Sequence, residues 1–202
     1  MMGDIEFIEG IDFIGGSSAG PTPPVTYATW NPLDKSPEIG LSDGDLHTTG
    51  NDVWPSARAT IAILTGEKKY FEVQSLSLAA TRVVGIATSS ASLELGFFVG
   101  ADDQGFGMYA GLQWYRTNIG TYLANTETWA LGKVVRVLVD RVNNEITWYM
   151  GNTLLDTVSI SALGNGPLYP MISETIGGQS LTNFGASDWA YAIPDGYTGV
   201  SS

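Results

Sequence analysis

The chain contains no cysteine and a single histidine, His47. Without thiols there is no disulfide, no thiolate nucleophile and no thiolate metal ligand, so the core alone must hold the fold, which suits folding in a reducing compartment. One imidazole excludes a zinc site or catalytic dyad built on two, and a lone histidine in a turn-rich stretch reads as a solvated side chain. Basic residues are scarce as well: 9 Lys and Arg stand against 21 Asp and Glu, a formal charge of −12. A surface of that sign repels phosphate backbones and anionic lipid, both of which need Lys and Arg to replace counterions. We therefore expect no nucleic-acid partner and no membrane insertion. No Lys or Arg precedes Lys35 or follows Arg141, so both ends are acidic or neutral. The opening Met1-Met2-Gly3-Asp4-Ile5-Glu6 has no positive region and interrupts its apolar residues with acids. That argues against a secretory signal or spanning helix and for folding in a cytoplasm.

Residues 1–24 stand apart from the remainder. Ile5-Glu6-Phe7-Ile8 is echoed by Ile11-Asp12-Phe13-Ile14, followed by a Gly/Ser run at 15–20 and Pro21-Thr22-Pro23-Pro24. Gly/Ser runs are flexible and Pro-rich runs extend at about 3 Å per residue, so the segment reads as anchor, hinge and stiff spacer. In an extended conformation Ile5, Phe7, Ile11 and Phe13 share one face, the pattern of a strand added to a foreign sheet edge or groove. With Ile8 and Ile14 they form the expected anchoring arm; folding back onto its own domain is the alternative.

From Thr26 onward the pattern is one of period-2 strands between Gly, Asn and Ser turns, with no sustained helical period, so residues 25–202 are expected to form one all-β domain. Residues 133–140 should pair with 145–150 across Asn143-Asn144, and these with 153–158 across Gly151-Asn152, because Asn and Gly tolerate the positive φ of tight turns. Between Val73 and Leu76 the apolar phase shifts from odd to even positions, which predicts a bulge at Gln74-Ser75. The expected core comprises Ile61, Ile63, Phe71, Val73, Val84, Ile86, Val137, Val139, Ile146, Trp148, Ile172 and Phe184. Each such side chain contributes about 1.5–3 kcal/mol on burial.

Several blocks, in order, carry a family resemblance: Gly66-Glu67-Lys68-Lys69-Tyr70-Phe71-Glu72-Val73, Val84-Gly85-Ile86-Ala87, Val134 to Asp140 running into Ile146-Thr147-Trp148-Tyr149, Leu168-Tyr169-Pro170 and Asn183-Phe184-Gly185. Over roughly residues 27–197 the chain resembles the SPRY domain. The resemblance implies a two-sheet antiparallel β-sandwich that binds a partner through loops at one end. Trp30-Asn31-Pro32-Leu33-Asp34-Lys35, with Leu41-Ser42-Asp43-Gly44-Asp45-Leu46, is similar to the opening of SPRY domains in tail and other virion proteins of bacterial viruses. Two blocks depart from the family pattern, Gly132-Lys133-Val134-Val135-Arg136 and Tyr149-Met150-Gly151-Asn152. Both fall in turns or strand entries, so the resemblance carries the fold and loop-borne binding but no individual ligand contact.

Signals of chemistry are weak. Gly16-Ser17-Ser18-Ala19-Gly20 matches the nucleophile-elbow spacing, but a Pro-rich spacer follows where a helix is required. Asp102-Asp103 and Asp43-Gly44-Asp45 lack calcium-loop spacing, and no carboxylate pair is singled out for glycoside hydrolysis. No catalytic residue, metal or cofactor is expected. The sharper candidate is a loop in which Asp102, Asp103 and Gln104 adjoin Phe106, Tyr109, Trp114 and Tyr115, a mixture able to hold a sugar or peptide. Strand alternation should nonetheless bury about half of those rings.

These readings predict a non-enzymatic virion protein, attached to head, neck or tail by its arm and displaying the sandwich, with other virion proteins as partners. A tail-fibre tip that grips host glycan or protein, or a cytoplasmic peptide-binding adaptor, are the alternatives.

Overall fold

The computed structural model describes residues 24–78, 81–109 and 129–202, and the backbone of 113–116 and 119–122. The anchoring arm (Ile5, Phe7, Ile8, Ile11, Phe13, Ile14) and Gly16–Gly20 lie outside the described residues.

The described chain builds two sheets and one short 3-10 turn (Ser161–Leu163). One sheet takes β1 (Trp30–Lys35), β4 (Ser56–Ala59), β13 (Tyr169–Glu174), β6 (Arg82–Ala87), β7 (Gly105–Tyr109), β8 (Gln113–Arg116) and β9 (Ile119–Tyr122), in that spatial order. The other takes β12 (Thr153–Ser159), β11 (Glu145–Met150), β10 (Val134–Asp140), β5 (Lys68–Ser75), β14 (Gln179–Asn183), β3 (His47–Gly50) and β2 (Ile39–Ser42). Every ladder on these paths is antiparallel; β15 (Thr198–Gly199) alone joins β5 in parallel. The sheets close face to face as a sandwich over Phe71, Val73, Val137, Val139, Ile146, Trp148 and Phe184 from one side and Trp30, Val84, Ile86, Phe106, Met108 and Ile172 from the other. Of the expected core residues only Ile61 stays partly exposed.

Both expected hairpins are present. β10 turns into β11 through 141–144, with Asn144 at φ 54°. Asp140 accepts the amides of Val142 and Asn143, both at 2.9 Å, and pairs with Lys68 at 2.7 Å. Burial pushes its carboxyl up, but Lys68, Asn143 and Val142 together outweigh that and leave it below the usual aspartate value. β11 turns into β12 through Gly151, at φ 58°, and Asn152.

The expected bulge at Gln74-Ser75 is absent. Both ladders of β5 run unbroken there, and the strand ends with Ser75 facing inward and Leu76 outward. The inward hydroxyl has a task that an apolar residue could not perform: Ser75 Oγ accepts from Arg82 Nη1 at 2.6 Å. Register shifts fall instead on β12, between the Trp148–Asp156 and Tyr149–Leu154 pairs, and on β1, between Trp30 and Lys35. His47 is also less open than expected, lying on β3 with its ring hydrogen-bonded to Ser42.

Outside the main core each sheet carries a second layer. Over the seven-stranded sheet the long β6–β7 connection folds back, and Val83, Ala87, Ala91, Val99 and Met171 form a small apolar cluster with Trp54, Phe98 and Tyr109 packed against it. On the opposite side the segment after β14 crosses the outer face of the eight-stranded sheet. Glu72 accepts the amides of Ala190 (2.8 Å) and Tyr191 (2.9 Å) and the Tyr70 hydroxyl (2.6 Å). Arg136 stacks on Tyr149 and Tyr191 and donates to the carbonyls of Gly151 and Ala192. Burial and the Glu72 hydrogen bond hold the Tyr70 phenol neutral, far above its ordinary value.

Candidate partner-binding site

Three connections meet at one end of the sandwich: 51–55 between β3 and β4, the described part (76–78 and 81) of that between β5 and β6, and 175–178 between β13 and β14. Backbone bonds lash them together. Gly50 N donates to Gly178 O at 2.9 Å and Gly177 N returns to Gly50 O at 3.0 Å. Glu174 N donates to Pro55 O at 3.1 Å, and Thr175 N to Thr81 O at 3.0 Å. The tip of the β6–β7 connection reaches the same place, where Gly96 N donates to Val53 O at 2.9 Å and Ser56 Oγ to Phe97 O at 3.2 Å.

Beneath these loops lies a fully buried ion pair. Glu174 on β13 accepts from Arg82 Nε on β6 at 3.3 Å, from Thr48 Oγ1 at 3.1 Å and from Ser180 Oγ at 2.5 Å. Arg82 spends its remaining donors on Ser75 Oγ, Ser77 Oγ and the carbonyls of Trp129 and Gln179, with the Trp129 ring stacked on its guanidinium. Desolvation raises the Glu174 carboxyl above its ordinary value, against the pull of Arg82 and the two hydroxyls. A charge pair taken wholly out of water fixes geometry more reliably than it adds stability, because leaving any of these groups unpaired is costly. Here it fixes β3, β5, β6, β13 and β14 where their loops emerge.

Those loops present apolar side chains outward. Val53 is 55% exposed, Ile176 68% and Phe97 42%. Trp54, between Val53 and Pro55, sits at φ +57°, a conformation in which a bulky residue is strained. Its ring packs on Phe98 at 5.1 Å and Tyr109 at 5.7 Å, which holds the loop in place from below. Exposed apolar side chains on a stiffly supported loop cluster are how a binding surface presents anchors to a partner.

The candidate loop residues do not come together as one patch. Asp102 accepts the amides of Ser92 (3.0 Å) and Gln104 (3.1 Å), Asp103 accepts from Gln104 Nε2, and Thr88 donates to the Gln104 carbonyl oxygen. All three therefore serve the base of the β6–β7 connection, at the end of the sandwich opposite Val53 and Ile176. Phe106 is core, whereas Tyr109 lies on the outer face under Trp54. Trp114 and Tyr115 lie on β8 in register with Met108 and Gly107. Among the described residues no cluster of three His, Asp or Glu is arranged to hold a metal ion.

Comparisons with known proteins agree with the architecture. Residues 68–187 match the model of the SPRY domain. Ran-binding protein 9 of Xenopus laevis is 26% identical over 197 residues, covering 93% of this chain and 35% of its own length. Its counterpart from Danio rerio is 27% identical over 175 residues, covering 83% of the chain and 29% of its own length. The chain thus spans about a third of these relatives. Among solved structures, the TRIM65 PSpry domain superposes with a TM-score of 0.63 at 15% identity, over 78% of this chain and 90% of that one. Stonustoxin gives 0.62 at 16% identity, over 78% and 27%. At such identities the likeness is one of fold. The frog match spans so much of the chain that it also takes in the block from Trp30 to Leu46.

Proposed function

Since the chain belongs to the SPRY domain family, we propose that it is a non-enzymatic binding module that holds a protein partner on the loop surface formed by 51–55, 92–98 and 174–178. The observation that carries this reading is the exposure of Val53, Phe97 and Ile176 on loops fastened from beneath by Arg82 and Glu174. The acids beside them, Asp52 and Glu94, favour a segment that flanks an apolar anchor with basic residues. Peptides selected from a random display library on the immobilised full chain test it. Val53→Asp and Ile176→Asp should each weaken the selected peptide at least tenfold, about 1.4 kcal/mol, with the melting temperature unchanged. Selected peptides that bind both variants as well as the parent would overturn this assignment.

The second part of the proposal places the module in a particle. The Ile/Phe arm (Ile5, Phe7, Ile8, Ile11, Phe13, Ile14) anchors it to other virion proteins and the sandwich faces outward. Supporting this is the apolar repeat ahead of a hinge and spacer. The loop surface would then take a host surface glycan or protein; a peptide-binding adaptor in a cytoplasm is the alternative. Removing residues 2–16 should leave the melting temperature intact and abolish incorporation into particles. Incorporation at the parental level would sink the anchor.

A further inference from the structure

The outer face of the eight-stranded sheet carries a cleft of about 460 Å³, separate from the loop surface. Its floor is made by Val134 on β10, Gln74 on β5 and Leu181 on β14, three residues that the register brings side by side. The β2–β3 turn, with Asp43 and Leu46, forms one wall and Ser187–Ala190 the other. Leu181 is 38% exposed on a sheet face, with the segment after β14 stopping short of covering it. The volume lies within the range of roughly 300–1,000 Å³ usual for ligand sites, enough for one long side chain and its neighbours.

The charges of this cleft have one sign. Asp43 and Asp188 both line it, and no Lys or Arg does. Among the described residues His47, at 3.8 Å, is the one ion-pair partner of Asp43, and no cation or donor engages the Asp188 carboxylate. Glu72, which also lines it, is already occupied by Ala190, Tyr191 and Tyr70. We propose that this cleft is a second docking site, for an extended segment of a partner protein that lays an arginine between Asp43 and Asp188 with an aliphatic neighbour on Leu181 and Val134. A guanidinium suits a cleft lined by two carboxylates, and its aliphatic stem suits an apolar floor. The chain's own arm is the wrong occupant. It carries Asp4, Glu6, Glu9 and Asp12 and no Lys or Arg.

The test uses the full chain labelled with nitrogen-15 and two probes, acetyl-Leu-Arg-Leu-amide and acetyl-Leu-Glu-Leu-amide. The arginine peptide should shift amides of 43–46, 72–74 and 181–190 and the glutamate peptide should not. Asp43→Asn with Asp188→Asn should weaken the arginine peptide at least fivefold, and Leu181→Lys should block it while Ile176→Asp has no effect. Shifts scattered over the acidic surface, or unaltered affinity in the double variant, would overturn the proposal. So would cleft shifts on removing residues 2–16 without any peptide, because they would show the arm in the cleft.

Discussion

Arg82→Met will lower stability by about 3–5 kcal/mol at neutral pH, a fall in melting temperature on the order of 10 °C for a domain of this size. The loss exceeds that of one hydrogen bond because Glu174 stays behind, fully buried, with no counter-charge. Its carboxyl already lies above the ordinary value because burial outweighs Arg82 and the hydroxyls of Ser180 and Thr48. The folded state therefore keeps a proton that the unfolded chain releases near 4.5, and stability declines as pH rises from there through the folded value. Removing Arg82 raises that folded value further and extends the window upward. The deficit should accordingly be larger at pH 7.5 than at pH 5 in urea melts. Adding Glu174→Gln should restore a substantial part of it, since an amide can still meet Thr48 and Ser180. A deficit under about 1 kcal/mol, or no recovery in the double variant, would show that the pair does not hold the loops.

That pair also explains which features of the chain could be read in advance. Val137, Val139, Ile146 and Trp148 announce themselves because their alternation is local and each faces the core in register with the next strand. The layout of β10, β11 and β12 followed from Asn and Gly at turns whose positive φ they permit. The end of β5 misled because Ser75, a polar residue in an inward position, is satisfied by Arg82 from the far side of the sandwich, a partner no local period reveals. The candidate site was hidden for a similar reason. Val53 and Ile176 are single apolar residues in turns, and only the bonds joining Gly50 to Gly177 and Gly178, and Val53 to Gly96, make them one surface. Asp102, Asp103 and Gln104 looked available because a sequence does not show the hydrogen bonds that occupy them, the amides of Ser92 and Gln104 on Asp102 and the Gln104 side chain on Asp103. Glu72 stands in the Tyr-Phe-Glu-Val block for a comparable structural reason, since it fastens the segment that walls the cleft.

Gly85→Ala will prevent the domain from folding, or leave it destabilised by more than the roughly 1–3 kcal/mol typical of overpacking. Gly85 lies in the middle of β6, in register with Met171 on one side and Gly107 on the other. A Cβ there would run into the carbonyl oxygen of Phe106 and approach the Cα of Gly107 to 2.9 Å. Both obstacles are backbone, which unlike the tip of a long side chain cannot swing aside, and β7 is itself pinned: a Cβ at Gly107 would strike Val83 and the Val99 carbonyl oxygen. Relief would require β6 and β7 to separate. Since β6 carries Arg82 and β7 carries Tyr109 beneath Trp54, the same movement would dismantle the support of the loop surface. Gly166→Ala is the matched control, because nothing lies within 4 Å of its added Cβ and its backbone does not require glycine; it should stay within about 0.5 kcal/mol of the parent. If Gly85→Ala melts with the parent while Gly166→Ala does likewise, the close approach of β6 and β7 is not a constraint on this fold, and the glycine of the Val-Gly-Ile-Ala block needs another cause.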